Sequence, residues 1–171
     1  QHYDYHMSQA FFDEFKLPAA NHYLGVGSGT HAEQTAQTMI SYEKLCLEKS
    51  KPDLVVVVGD VNATLACSLA AKKLHLPVAH LEAGLRSFDR TMPEEINRVV
   101  TDSISDYLWT PSEDANENLL KEGIAKEKIE LVGNIMIDTY CMMQPQIDIA
   151  EAYKKYGYHP KAYGILTLHR P

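Results

Sequence analysis

Four acidic side chains, two arginines and a histidine stand where a parallel sheet could gather them. Asp60 follows the apolar run Val55–Val58, and Glu82 follows the shorter run Val78–Leu81. Glu94 and Glu95 come directly after Pro93 at the head of a helical stretch, and Arg98 lies one turn beyond Glu94 on the same face. His169 and Arg170 close the last apolar run, 163–168. Carboxylates can take up or release a proton, and arginine and histidine can hold an anionic group. Such a set suits proton transfer on a phosphorylated ligand.

Each residue also has a purely structural reading. Asp60 after a strand is a common helix N-cap. Glu94 and Glu95 are ordinary first-turn acids that the helix dipole favours. His80, inside an apolar run, is more often a satisfied core histidine than a ligand. The loop 25–30 (Gly25-Val26-Gly27-Ser28-Gly29-Thr30) lacks the lysine of a P-loop and is a weak phosphate cradle. His80-Leu81-Glu82 matches half of a zinc deaminase signature, but the Pro-Cys-x-x-Cys half is absent, which excludes that zinc site. The carboxylates Asp60, Glu82 and Glu94 are also the donor type of a magnesium site, for which nothing else in the sequence speaks.

The elements that would position these groups alternate. Phe11, Phe12 and Phe15 share a helical face over 7–15, and Leu17-Pro18 ends it. A helix over 31–49 follows, with Thr30 and Glu33 at capping-box spacing and a stripe of Ala32, Ala36, Met39 and Ile40. The run 54–58 is apolar without alternation, as in a parallel strand buried on both faces. Further helices are expected over 65–74, from Pro93 through Ser105, and over Glu113–Lys121. Strands are expected at Val78–Leu81, 107–109 and 129–132. Helices near 135–143 and 149–156 and a last strand over 163–168 complete the pattern. Repeated βαβ spacing implies a Rossmann-like α/β fold, a parallel sheet with helices on both sides and ligands beyond the carboxyl ends of its strands. If strand order is sequential, Asp60 and Glu82 reach the same rim.

Bulk composition narrows the function. The chain has 171 residues, 45% hydrophobic and 23% charged, with a net charge of −7. The acidic balance argues against nucleic acid as a partner. Three dispersed cysteines, Cys46, Cys67 and Cys141, favour reduced thiols and a cytoplasmic setting over a disulfide framework. No run approaches the length of a membrane span, and no signal peptide is visible. The chain opens on Gln1-His2-Tyr3-Asp4 without an initiator methionine and closes just after a strand-like run, so it reads as an internal piece of a longer protein.

Gly59-Asp60-Val61-Asn62-Ala63-Thr64-Leu65-Ala66, His80-Leu81-Glu82-Ala83-Gly84-Leu85-Arg86-Ser87 and Met92-Pro93-Glu94-Glu95-Ile96-Asn97-Arg98 together resemble the non-hydrolysing UDP-N-acetylglucosamine 2-epimerases. Gln1-His2-Tyr3-Asp4 and Leu168-His169-Arg170-Pro171 resemble the same family, so the match runs through the whole chain in order. The resemblance implies a two-domain, GT-B-like architecture with the active site in the cleft. Residues 1–157 would be most of the first Rossmann-like domain, without its opening strand and helix. Residues 158–171 would be a linker and the first strand of the second domain.

The resemblance also implies the chemistry. The C2 proton is removed, UDP departs, and UDP re-adds to a bound 2-acetamidoglucal with the opposite configuration at C2. By position, Asp60, Glu82 and Glu94 match the family's catalytic acids, and Arg98 and His169 match groups beside the diphosphate. Gln1 and His2 match residues through which bacterial members bind a second substrate molecule as activator, whereas Asp4 stands where those members tend to have glutamine. Val61 and Ala63 replace hydroxyl-bearing residues, and Ser103 replaces a frequent histidine. The expected partner is a UDP-sugar, without a metal or organic cofactor, in a homodimer that feeds polysaccharide synthesis. A related UDP-sugar of the 3-acetamido uronic acid type, a hydrolysing epimerase and a non-catalytic nucleotide-sugar binding module are the alternatives.

Overall fold

The computed structural model describes residues 8–168, which divide into a compact unit running to Gly133 and a second that begins at Asn134. The first unit contains helices α1 (Gln9–Glu14) and α2 (His31–Glu48), followed by β1 (Val55–Val58), α3 (Asn62–Lys73), β2 (Val78–Leu81), α4 (Pro93–Ile104), β3 (Tyr107–Thr110), α5 (Glu113–Lys121) and β4 (Ile129–Leu131). The strands form one parallel sheet in the sequential order β1-β2-β3-β4. Asp60 and Glu82 therefore leave neighbouring strands at the same rim.

Register explains the packing. Val55 pairs with Val78, and Val57 with His80, so these side chains share one face, and Leu108 continues it in β3. Ala71 of α3 packs against Val55, Val57 and Val78, and Leu119 of α5 packs against Leu108 and Ala83. Sequential parallel strands joined by right-handed crossovers place every connecting helix on one side. The expectation that β1 is buried on both faces therefore fails here, because Val56 and Val58 on the other face are 48% and 49% exposed.

Local signals explain most element boundaries. Thr30 Oγ1 accepts from the Glu33 amide at 3.2 Å while Glu33 Oε2 accepts from the Thr30 amide at 2.8 Å, the expected capping box of α2. The buried positions of α2 are Thr38 and Cys46 rather than the predicted apolar stripe. Ala32, Ala36, Met39 and Ile40 instead line an open groove of about 490 Å³ with Pro93 and Ile96 of α4. α3 starts three residues before the expected Leu65. Thr64 Oγ1 donates to the Val58 carbonyl at 2.7 Å and draws the helix start up against the strand end.

In the second unit, the two expected helices are differently divided. α6 (Ile135–Ala150) runs through Pro145, and the break falls at Glu151, whose φ is +40, before the short α7 (Ala152–Lys155). An internal proline removes one hydrogen bond without necessarily ending a helix. Tyr158 stacks on Tyr163 at 5.3 Å, and Tyr153 lies 6.3 Å from Tyr163. The expected strand over 163–168 is not formed, and Ile165, Leu166 and Leu168 are 80–84% exposed. A strand exists only when paired, and among the described residues none pairs with this segment.

Candidate active site

The rim is built from two strand ends and the first two turns of α4. Gly59 leaves β1 with φ +67, and Glu82 leaves β2 with φ +71, a left-handed conformation that side-chain-bearing residues rarely adopt. The Glu82 carboxylate lies over the preceding turn, with Oε2 3.4 Å from the place a Gly59 side chain would start. Asp60 makes an ion pair through Oδ2 with Arg98 Nη2. Its carbonyl accepts from Asn97 Nδ2 at 2.8 Å.

Arg98 is shared. Its Nη1 reaches Glu95 Oε2 at 3.0 Å, so one guanidinium bridges Asp60 and Glu95. Glu95 is 2% exposed and accepts three further bonds, from the Ser87 amide (2.9 Å), Ser87 Oγ (3.0 Å) and the Phe88 amide (3.0 Å). Burial pushes its carboxyl up, but the donors of Ser87, Arg98 and Phe88 together outweigh burial and hold it below its ordinary range.

Beneath the rim lies a second polar line. His80, completely buried, donates from Nε2 to the Gly59 carbonyl at 2.8 Å, and a 2.6 Å hydrogen bond joins its Nδ1 to Asp102 Oδ1. Asp102 Oδ2 accepts from the Gly84 amide at 3.1 Å and pairs with Arg86 Nη1 at 2.7 Å. Arg86 is also held by both oxygens of Glu122, at 2.8 and 2.7 Å. Burial opposes the Arg86 charge, but bonding to Glu122 and the charge of Asp102 outweigh it and raise its pKa. His80 is thus the satisfied core histidine that its apolar setting suggested. It fastens the turn before Asp60, while Asp102 fastens the turn after Glu82.

Of the residues singled out in the sequence, Asp60 and Arg98 are in direct contact, and Glu82 sits over the turn that carries Asp60. Glu94 occupies the first turn of α4, four residues before Arg98. Gln1, His2 and His169 lie outside the described residues. Asn97, Asp102 and Arg86 were not anticipated as parts of the rim, nor was the burial of Glu95 against Ser87, Phe88 and Arg98. A buried charge has no signature in composition, and the only hint was the acid at Glu95 three residues before Arg98. Among the described residues, no group of three or more histidine, cysteine, aspartate or glutamate side chains is placed to hold a metal ion.

These features define an α/β unit with a carboxylate–guanidinium cluster at the carboxyl rim of its sheet. The model of the UDP-N-acetylglucosamine 2-epimerase family matches residues 1–171, and the chain belongs to that family. It is 51% identical over 176 residues to the UDP-N-acetylglucosamine 2-epimerase of Methanocaldococcus jannaschii, covering 99% of this chain and 47% of the relative. It is 47% identical over 141 residues to the UDP-2,3-diacetamido-2,3-dideoxy-D-glucuronate 2-epimerase of Pseudomonas aeruginosa, covering 81% of this chain and 40% of that protein. The crystal structure of the Methanocaldococcus jannaschii enzyme with UDP-GlcNAc and UDP superposes with a TM-score of 0.86 at 50% identity, over 91% of this chain and 42% of that one. The chain spans about half the length of the curated relatives it matches.

Proposed function

We propose that the protein containing this chain is a non-hydrolysing epimerase that interconverts UDP-N-acetylglucosamine and UDP-N-acetylmannosamine. The observation that carries the reading is the rim itself. In a chain of this family, Asp60 and Glu82 leave adjacent strands at one edge and Glu94 opens the neighbouring α4. Carboxylates of this kind can remove the C2 proton from one face and return it on the other while UDP leaves and re-adds. The C2 proton is not acidic, so its removal has to be coupled to departure of UDP, and positive charge growing at C1 is offset by nearby carboxylates. In this reading Asp60, Glu82 and Glu94 act on the sugar, Arg98 and His169 stabilise the diphosphate, and Gln1 and His2 contribute to substrate binding.

Residues 1–157 supply most of the first of two domains in this proposal, and 158–171 the passage to the second. Uridine is held largely by that second domain, so the 171 residues alone turn over poorly or not at all. The protein works in the cytoplasm as a homodimer, for which the apolar groove between α2 and α4 is a candidate contact. No helix of the described residues is long and apolar enough to cross a membrane.

A second reading keeps the reaction and changes the sugar to a 3-acetamido uronic acid derivative, favoured by the 47% identity to the Pseudomonas aeruginosa relative. The test is incubation of the full-length protein with UDP-N-acetylglucosamine in deuterated water, followed by NMR. UDP-N-acetylmannosamine carrying deuterium at C2 is the expected product. Substrate returned without deuterium, with UDP binding confirmed, overturns the reading for this sugar and moves the trial to the uronic acid analogue. Free N-acetylmannosamine would instead identify a hydrolysing enzyme.

A further inference from the structure

Glu95 and Glu94 are adjacent acids on the first turn of α4, yet their surroundings differ. Glu94 is half-buried at the rim, whereas Glu95 points inward, 2% exposed, with four donors converging on it. Two of these donors are backbone amides of the loop between Arg86 and Pro93, those of Ser87 and Phe88, and a third is the Ser87 hydroxyl. The fourth is Arg98, whose other terminal nitrogen pairs with Asp60. One carboxylate therefore fixes two things at once: the guanidinium that aims Asp60, and a loop in which Phe88 is held at φ +60 with its ring 77% exposed. A phenylalanine stays in that conformation only where its surroundings hold it there.

We propose that Glu95 is a positioning residue that sets the orientation of Asp60 through Arg98 and couples it to the loop carrying Ser87 and Phe88. Resting on the epimerase reading above, this separates the roles of the two neighbouring acids. Glu94 faces the substrate, whereas Glu95 touches neither substrate nor reacting atoms. A glutamine at 95 cannot reproduce the arrangement. Its single carbonyl oxygen can serve Ser87 and Arg98 only if its NH₂ is turned against the Phe88 amide, setting donor against donor. Arg98 then loses one of its two charged partners, and Asp60 is left as the only one.

The test compares full-length wild type, Glu95→Gln and Ser87→Ala with UDP-N-acetylglucosamine in deuterated water. The quantity read is the deuterium at C2 of recovered substrate relative to that at C2 of the epimer. This ratio belongs to each turnover and does not depend on how much protein is folded. A displaced Asp60 affects the two faces of C2 unequally, whichever face it serves. Turnover of Glu95→Gln is expected to fall roughly 10- to 100-fold, the scale of small misplacements of reacting groups, with a shifted ratio. Ser87→Ala, which loses one of the four bonds, should shift the ratio in the same direction and by less. Equal loss at both positions with an unchanged ratio overturns the proposal and leaves Glu95 a stabilising residue.

If the wild type shows no exchange, the epimerase reading fails. Glu95 is then decided by ligand-free crystal structures of wild type and variant. Asp60, Arg98 and residues 87–88 unmoved in Glu95→Gln would overturn the proposal, and a rotated Asp60 carboxylate would support it. Should Glu95→Gln not fold, Ser87→Ala carries both comparisons.

Discussion

Gly84 offers a sharp test of how the Glu82 turn is seated. Its φ is +79, and a methyl group there would start 2.4 Å from the Ala115 carbonyl oxygen, 2.9 Å from the carbonyl carbon and 3.0 Å from Leu119 Cγ. Two of those atoms are backbone of α5 and cannot swing aside. The left-handed conformation costs alanine about 1–2 kcal/mol, and forced overpacking adds about 1–3 kcal/mol. Gly84→Ala should therefore destabilise the first unit by about 2–5 kcal/mol. Gly59→Ala is the matched control. Its φ is +67, but the new methyl would meet only Glu82 Oε2, at an ordinary 3.4 Å, so only the backbone cost of about 1–2 kcal/mol applies.

Native-state hydrogen exchange of peptides from β2 and α5, measured in the full-length protein, reads this opening free energy without requiring the whole molecule to unfold in one step. Gly84→Ala should lower protection there well beyond Gly59→Ala. Equal effects of the two substitutions would refute the close approach of the Glu82 turn to α5, and with it the seating of Glu82 at the rim.

Two further predictions follow from the buried charges. Asp102→Ala removes one partner from a buried ion pair and should cost about 3–5 kcal/mol by denaturant unfolding. Asp102→Asn should cost visibly less, because its oxygen can still serve the Gly84 amide and Arg86 while its NH₂ donates to His80 Nδ1. A depressed carboxyl stabilises the fold above its ordinary value and loses that contribution as pH falls, so the Glu95 contribution should fade below about pH 4.5. Glu95→Gln should therefore be about 1.5–3 kcal/mol less stable than wild type near pH 7, with the gap closing in acid. A gap that stays constant down to pH 3 would contradict the bonding described for Glu95.

The strand ends were legible because β1 and β2 stop abruptly at Gly59 and Glu82, and the βαβ spacing forces a common rim once strand order is sequential. α5 was legible to the residue, since Ser112 and two first-turn acids mark its start and Gly123 its end. The burial of Glu95 was not legible, because its partners Ser87 and Phe88 reach it through a loop that no periodicity describes. Asp102 was missed for a related reason. It lies in an amphipathic helix, and only the register of β2 reveals that His80, Gly84 and Arg86 converge on it. The single helix through Pro145 and the missing strand over 163–168 show the reverse limit. Local sequence marks where a break or a strand is permitted, and the partners available decide whether it forms.

The two polar lines also divide the rim into fixed and adjustable parts. His80, Asp102 and the Arg86 guanidinium are each about 1% exposed or less, and they bind the Gly59 carbonyl and the Gly84 amide, both backbone atoms. The turns that carry Asp60 and Glu82 are therefore set before any ligand arrives. The upper line is different. Arg98 is 18% exposed and Asp60 30%, whereas Glu95 is 2% exposed and bound by loop amides. An anion approaching Arg98 meets a guanidinium already shared between two carboxylates, and of these only Asp60 has room to turn. Asp60 can thus turn only as far as its contact with that guanidinium allows, while Glu95 keeps the arginine in place.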